Sequence, residues 1–304
     1  MKKLKDDFKM PGKMDLSINF RKSSKTVLVF ILAIFFASQS ASADKKIIDN
    51  GIVSTNLCID ALLIALIGTK DVIAVSSVAG DSRYSLIADE VKSLKKVKFN
   101  AEAIYALNPS LVLASNFSSP KTRLALSKLD VDVKMVNYAQ SIKDVENNLS
   151  YLGELLGAST KAAEIIKTIQ VTKHRSENKV TLEALQYSAN KYVNGQHSLI
   201  SDILRRSGFS RPSQMSENPQ AGFLSSEFII KAQPQLLLLD KNEISSKNGK
   251  NSRYNNAIYK LGDQTSIIHV DQKQWSCGSP SAVNLIAQLG KKHSEILRKK
   301  NAGK

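Results

Sequence analysis

Chemistry in this chain would rest on a small set of side chains. Cys58 and Cys277 stand 219 residues apart with no C-x-x-C spacing, which argues against a thioredoxin-like redox pair. Three uses stay open for them: a bridge, two buried thiols, or sulfur contact with a metal or haem. His174, His197, His269 and His293 are scattered without ligand spacing, which argues against a site for bare zinc or manganese. The patterns G-x-S-x-G, G-x-G-x-x-G, H-E-x-x-H and the P-loop are absent, so no recognised nucleophile or phosphate cradle points to catalysis. Glu102 and Glu227 stand out because they open the same pattern. Glu102-x-Ile104-x4-Pro109-x-Leu111-x-Leu113 is repeated as Glu227-x-Ile229-x4-Pro234-x-Leu236-x-Leu238, 125 residues later and without a gap. A carboxylate in a helix's first turn is stabilised by the helix dipole by about 0.3–1 kcal/mol, which alone explains a Glu in either copy.

The elements that carry these residues read as alternating strands and helices. Ile47–Val53 is a strand, Leu57–Ile67 a helix with Gly68 at its left-handed end, and Asp71–Val75 a second strand. A long loop, Ser76–Lys98, follows. Ala101–Leu107 is a short helix stopped by Asn108-Pro109, Leu111–Ala114 a buried strand, Thr122–Leu129 a helix and Val131–Val136 a strand. Alternation of this kind implies a parallel sheet covered on both faces. The order then recurs: Tyr192–Gly195, Leu199–Arg206 and Gly208 echo Ile52–Thr55, Ile59–Leu66 and Gly68 at an offset of 140. Two lobe-sized copies indicate duplication of one α/β unit, not a solenoid. Between them Ser141–Leu156 and Ser159–Leu185 carry mostly helical patterning broken at Gly157, a stiff strut that predicts small lobe closure. Lys241–Asn256 reads as an exposed loop.

Length and composition fit this reading. The chain has 304 residues, 42% hydrophobic and 23% charged, enough for two domains with a sizeable core. Residues 1–43 read as a signal peptide: a Lys-rich leader, the 12-residue apolar run Thr26–Ala37, and Ala41-Ser42-Ala43 as the site of the cut. The run is short for a membrane span, which needs about 20 residues. Removing the leader lowers the net charge from +16 to +11, spread over surface runs without an aromatic–basic stripe. Nucleic acid is therefore not the expected partner.

Several segments together resemble one family: Ile52-Val53-Ser54-x-Asn56-Leu57-Cys58-x-Asp60-x-Leu62-Leu63, the two E-x-I-x4-P-x-L-x-L stretches, the joining helix, and Trp275-Ser276-Cys277-Gly278-Ser279-Pro280. The chain resembles, over residues 47–290, the periplasmic substrate-binding proteins of ABC importers for metal chelates: ferric siderophores, cobalamin or haem. The resemblance implies an α/β fold of two Rossmann-like lobes with parallel sheets, joined by one long backbone helix, with the ligand cleft between them. The lobes would be residues 44–140 and 186–304, with connecting helices over 141–185. It further implies a monomeric, periplasmic, non-enzymatic receptor with no resident cofactor, whose ligand is an iron or cobalt chelate and whose partner is an inner-membrane ABC permease dimer. In open parallel sheets ligands collect at the carboxyl ends of strands. The loops expected there are Ser54–Cys58, Ser76–Tyr84 and Ser115–Phe117, and Asn194–His197, Asp240–Lys241 and Gln274–Gly278. Candidate ligand contacts on them are Asn56, Cys58, Arg83, Tyr84, Phe117, His197, Trp275 and Cys277, with Phe223 as a further aromatic candidate; Arg123 is a second cation. Glu102 and Glu227 match the pair that docks on permease arginines. An exported enzyme on the same two-lobed fold, or a receptor for bare metal ions, is the alternative.

Overall fold

The computed structural model describes residues 50–171, 181–215, 220–243, 258, 261, 264–279 and 281–302. The predicted leader with its cut after Ala43, most of the Lys241–Asn256 loop, and Pro280 lie outside the described residues. The first half places β1 (Ile52–Ser54), α1 (Leu57–Ile67), β2 (Val72–Ser76), β3 (Lys95–Val97), α2 (Ala101–Tyr105), β4 (Leu111–Ser115), α3 (Pro120–Lys128) and β5 (Val133–Val136) along the chain. They form a parallel sheet of order β3-β2-β1-β4-β5. Helices α4 (Ile142–Leu155) and α5 (Ser159–Val171) follow, separated at Gly157, whose φ is +66°. The second half holds β6 (Leu182–Gln186), β7 (Tyr192–Val193), α6 (Leu199–Arg206), β8 (Phe209–Ser210), β9 (Gly222–Phe223), α7 (Ser226–Ala232), β10 (Leu236–Asp240), β11 (Ser266–Val270), α8 (Lys273–Ser276) and α9 (Ser281–Ala302). Its parallel sheet runs β8-β6-β10-β11, with β7 and β9 paired antiparallel beside it.

The duplication is visible in the topology: β2-β1-β4-β5 and β8-β6-β10-β11 are the same arrangement. Three expectations change. Tyr192–Val193 is not the counterpart of β1. That place belongs to β6, since Ala184 sits opposite Leu236 as Ile52 sits opposite Leu111. The helical reading through Leu185 therefore fails at Leu182, because contact with β10 overrides the helix-forming character of Leu-Glu-Ala-Leu-Gln. The Ser76–Lys98 loop also contains β3, an edge strand whose two exposed lysines hide its strand character.

Strand alternation sorts the core. In the first sheet Ile52, Leu111 and Leu113 face a large cluster that also takes Leu236 and Leu238 of the second sheet. Their neighbours Val53 and Val112 turn outward onto Ile104 of α2, while Leu237 and Leu239 turn outward onto Ile229 of α7. The repeated Ile and Leu positions thus do the same work in each copy. Residues of α1, α4, α5, α6 and α9 join both sheets in one continuous apolar cluster. Polar contacts reinforce it: buried Asp202 of α6 accepts the N–H of Ile142, the first residue of α4, at 2.9 Å, and is paired with Arg205 and Arg206. Gly153 of α4 has no side chain because a Cβ there would lie 2.6 Å from Ala162 of α5.

Candidate functional site

The exits of β1, β2, β4 and β5 in the first sheet and of β6, β10 and β11 in the second lie around one recess. Its innermost niche, about 30 Å³, is lined by Asn56, Cys58, Ser115, Asn137, Tyr138, Ser276 and Cys277, among others. A chamber of about 220 Å³ lies between Tyr138 of the first lobe and Gln186, Ser188, Tyr192, Asn194, Ser198, Gln272 and Trp275 of the second. A third space of about 540 Å³ is bounded by Leu57, Arg83 and Tyr84 on one side and Asp240, Asn242, Glu243, Gln272 and Lys273 on the other. Ser276 borders all three, so they are parts of one cleft. This is where strand geometry places a ligand.

Local chemistry holds the walls. Asn56 is the N-cap of α1, its side-chain oxygen accepting from the N–H groups of Cys58 and Ile59. Asn194 donates to Gln186 at 2.5 Å and Gln186 donates on to Ser188. Arg83 grips Asp81 through Nε and Nη2 and lies 5.3 Å from the ring centre of Tyr84. That guanidinium brings the Asp81 carboxyl down to about 2. Lys273 reaches across the lobes to the Ser82 carbonyl at 2.7 Å and pairs with Asp271, which also pairs with Lys241. Burial works to raise the Asp271 carboxyl, but Lys241 and the Lys273 N–H together hold it below the usual range. Asp240 is raised by burial, against the N–H bonds of Asn242 and Gln272 that lower it.

Each lobe adds an aromatic pair. Phe117 meets Tyr138 edge to face at 5.4 Å, and Phe223 meets Tyr192 the same way at 5.6 Å. The two phenylalanines are 78% and 72% exposed, an arrangement that leaves ring faces open to a flat or greasy guest. Tyr138 and Tyr192 were missed in the sequence. Tyr138 follows β5, an exit loop that the strand rule covers, and Tyr192 is matched in the sequence to Ile52 of β1.

The remaining candidates divide. Asn56, Arg83 and Tyr84 line the cleft. Cys58 and Cys277 line it too, but joined in a disulfide with Cα atoms 4.6 Å apart, so neither is a free thiol for a metal. Trp275 is only 5% exposed: it sits on α8 and packs into the shared core, contributing wall and not an open ring face. His197 leaves the site altogether. It lines a recess of about 630 Å³ on the flank of the second lobe with Gln196, Ser201, Arg205 and Arg211, because the loop after Asn194 turns outward. Arg123 on α3 contacts Met135 and borders none of the three spaces. Glu102 and Glu227 are exposed and occupy the same position, second in α2 and α7 after the capping residues Asn100 and Ser225.

Comparison with known proteins agrees with this architecture. Residues 52–280 match the family described as periplasmic binding protein. The chain is 28% identical over 177 residues to the probable siderophore-binding lipoprotein YfiY of Bacillus subtilis (strain 168), covering 55% of this chain and 53% of that one. It is 34% identical over 87 residues to the uncharacterized ABC transporter substrate-binding lipoprotein YvrC of the same organism, covering 27% and 28%. The matches thus span about a quarter to a half of these relatives' lengths. Among solved structures, the periplasmic heme-binding protein RhuT from Roseiflexus sp. RS-1 in apo form shares the fold at a TM-score of 0.67 and 19% identity, over 81% of this chain and 98% of that chain. With the family match running from β1 to the end of the cleft loop beyond α8, the chain belongs to the periplasmic binding protein family.

Proposed function

We propose that the protein is an exported, monomeric receptor that captures a metal chelate (a ferric siderophore, cobalamin or haem) and delivers it to the permease dimer of an ABC importer, without chemistry of its own. The observation that carries this reading is the cleft between two sheets, lined by Tyr138 and Tyr192, with the exposed rings of Phe117 and Phe223 set edge to face against those tyrosines. Rings of a bulky chelate would lie against those faces. Its polar groups would meet Asn242, Gln272 and Lys273, and Arg83 where the ligand displaces Asp81. The reading includes export by a signal peptide cut after Ala43.

Delivery would use Glu102 and Glu227. Their matched positions on α2 and α7 suit a two-fold permease surface bearing arginines. Titration of the protein with haemin, a ferric hydroxamate and cyanocobalamin, followed by Trp275 fluorescence, tests capture. One probe should bind saturably at 1:1, and Phe117→Ala with Phe223→Ala should weaken it about tenfold while the melting temperature stays put. Failure of every probe removes the chelate reading. Glu102→Arg with Glu227→Arg should leave that affinity unchanged and abolish uptake; normal uptake refutes the docking roles.

A further inference from the structure

Cys58 and Cys277 lie on loops that belong to different sheets. Cys58 is the second residue of α1, just past Asn56 and the exit of β1; Cys277 closes α8, just past Ser276 and the exit of β11. The bridge therefore ties the carboxyl-end loops of the two lobes across 219 residues, at the floor of the cleft. Beside Arg83 and Tyr84, Lys273 makes a cross-lobe hydrogen bond to the Ser82 carbonyl. On its other side the Cys277 corner is wedged against α4 and α6: a Cβ on Gly278 would collide with Val145 and crowd Leu199. The corner is thus held by packing on Val145, Leu199 and Ala139, and the bridge is its covalent tie to α1. Both cysteines are half-buried and border the niche together with Asn56 and Ser276; Ser276 also borders the larger chamber, so a ligand seated there would stand over the approach to the sulfurs.

We propose that the Cys58–Cys277 bridge is a positioning element of the ligand cleft: oxidised, it fixes Asn56 and Ser276 at the floor, and the bound ligand in turn shields it from reduction. This rests on the cleft being the ligand site. Reduction consumes two external thiols: Cys58–S–S–Cys277 + 2 RSH gives Cys58–SH + Cys277–SH + RSSR, the electrons coming from the thiol reductant. The core behind the corner does not depend on the bond, so the reduced protein stays folded with a looser floor. Linkage then requires reciprocity: if reduction weakens ligand binding by some factor, the ligand disfavours reduction by the same factor.

The test uses the full protein in three forms: oxidised, reduced with dithiothreitol, and carrying Cys58→Ala with Cys277→Ala. Each is checked for folding by circular dichroism and titrated with haemin, a ferric hydroxamate and cyanocobalamin. The rate and equilibrium of reduction are also measured as the cleft is filled. The expected result is binding about five- to tenfold weaker in the reduced protein and in the double variant, with the thiol–disulfide equilibrium of the wild type displaced by the same factor toward the bridge when ligand is bound. Equal affinity in the oxidised and reduced protein, or a reduction equilibrium indifferent to ligand, overturns the inference and leaves the receptor reading intact. An oxidised protein that binds none of the probes overturns the receptor reading, and the ligand linkage falls with it.

Discussion

Asp60 offers a quantitative check on the packing behind the cleft. It lies in the first turn of α1 with 0% exposure, and its carboxylate accepts bonds from the N–H and hydroxyl of Ser76 at the end of β2. Burial raises its pKa from 3.8 to about 6, and the Ser76 bonds oppose that rise without cancelling it. Because the folded value is the higher one, the folded protein holds this proton more tightly than the unfolded chain does. The stabilisation is complete below about pH 4 and is lost as pH rises through about 6. At 1.36 kcal/mol per pH unit the loss is about 3 kcal/mol. Asp60→Asn removes the titration and keeps the shape. Urea unfolding of both proteins from pH 4 to pH 7.5 should show the difference in stability swing by about 3 kcal/mol in favour of the variant. A difference that does not change with pH, or that swings toward the wild type, refutes the reasoning.

Asp202 should behave in the opposite sense. Burial would raise its carboxyl, but the Ile142 N–H and Arg206 outweigh that and hold it below the usual range, so its contribution is present at neutral pH and lost as pH falls below about 4. Asp202→Ala should cost about 2–4 kcal/mol at pH 7, read by urea unfolding, since it leaves the Ile142 N–H without its acceptor. Gly278→Ala should destabilise by about 2 kcal/mol or more, because Gly278 has φ +57° and Val145 occupies the space a Cβ needs; adding Val145→Ala should recover part of the loss in melting temperature. Lys273→Met should change stability by less than about 1 kcal/mol, because Asp271 keeps Lys241, yet should speed ligand release several-fold in stopped-flow chase by removing the tie to Ser82.

Local signals were enough wherever packing and propensity agreed. Asn56, the helical spacing of Leu57–Ile67 and Gly68 mark α1 as the structure has it. The repeated E-x-I-x4-P-x-L-x-L stretches are α2–β4 and α7–β10 with their Ile and Leu residues buried. Where tertiary contact decides, the sequence misleads. Leu182–Gln186 is composed like a helix and becomes a strand only between β8 and β10. Matching Tyr192–Gly195 to Ile52–Thr55 also hides the twelve-residue excursion from Tyr187 to Ser198 that carries Tyr192 to the cleft. The order of strands predicts which loops reach the cleft, and Asn56, Arg83 and Tyr84 line it. It does not predict which way a side chain turns within a loop, hence Trp275 inward and His197 outward. Nor does a separation of 219 residues reveal a disulfide; only the fold brings those two Cα atoms together.

The central claim concerns where the guest sits, and iron can report that directly. Crystals of the protein saturated with a ferric chelate, measured for anomalous scattering of iron, locate the metal without assuming the ligand's pose. The account predicts one iron position between the lobes, in the space bounded by Tyr138, Tyr192 and Ser276. Iron found instead in the flank recess beside His197, Arg205 and Arg211, or on the outer face of either sheet, would contradict it.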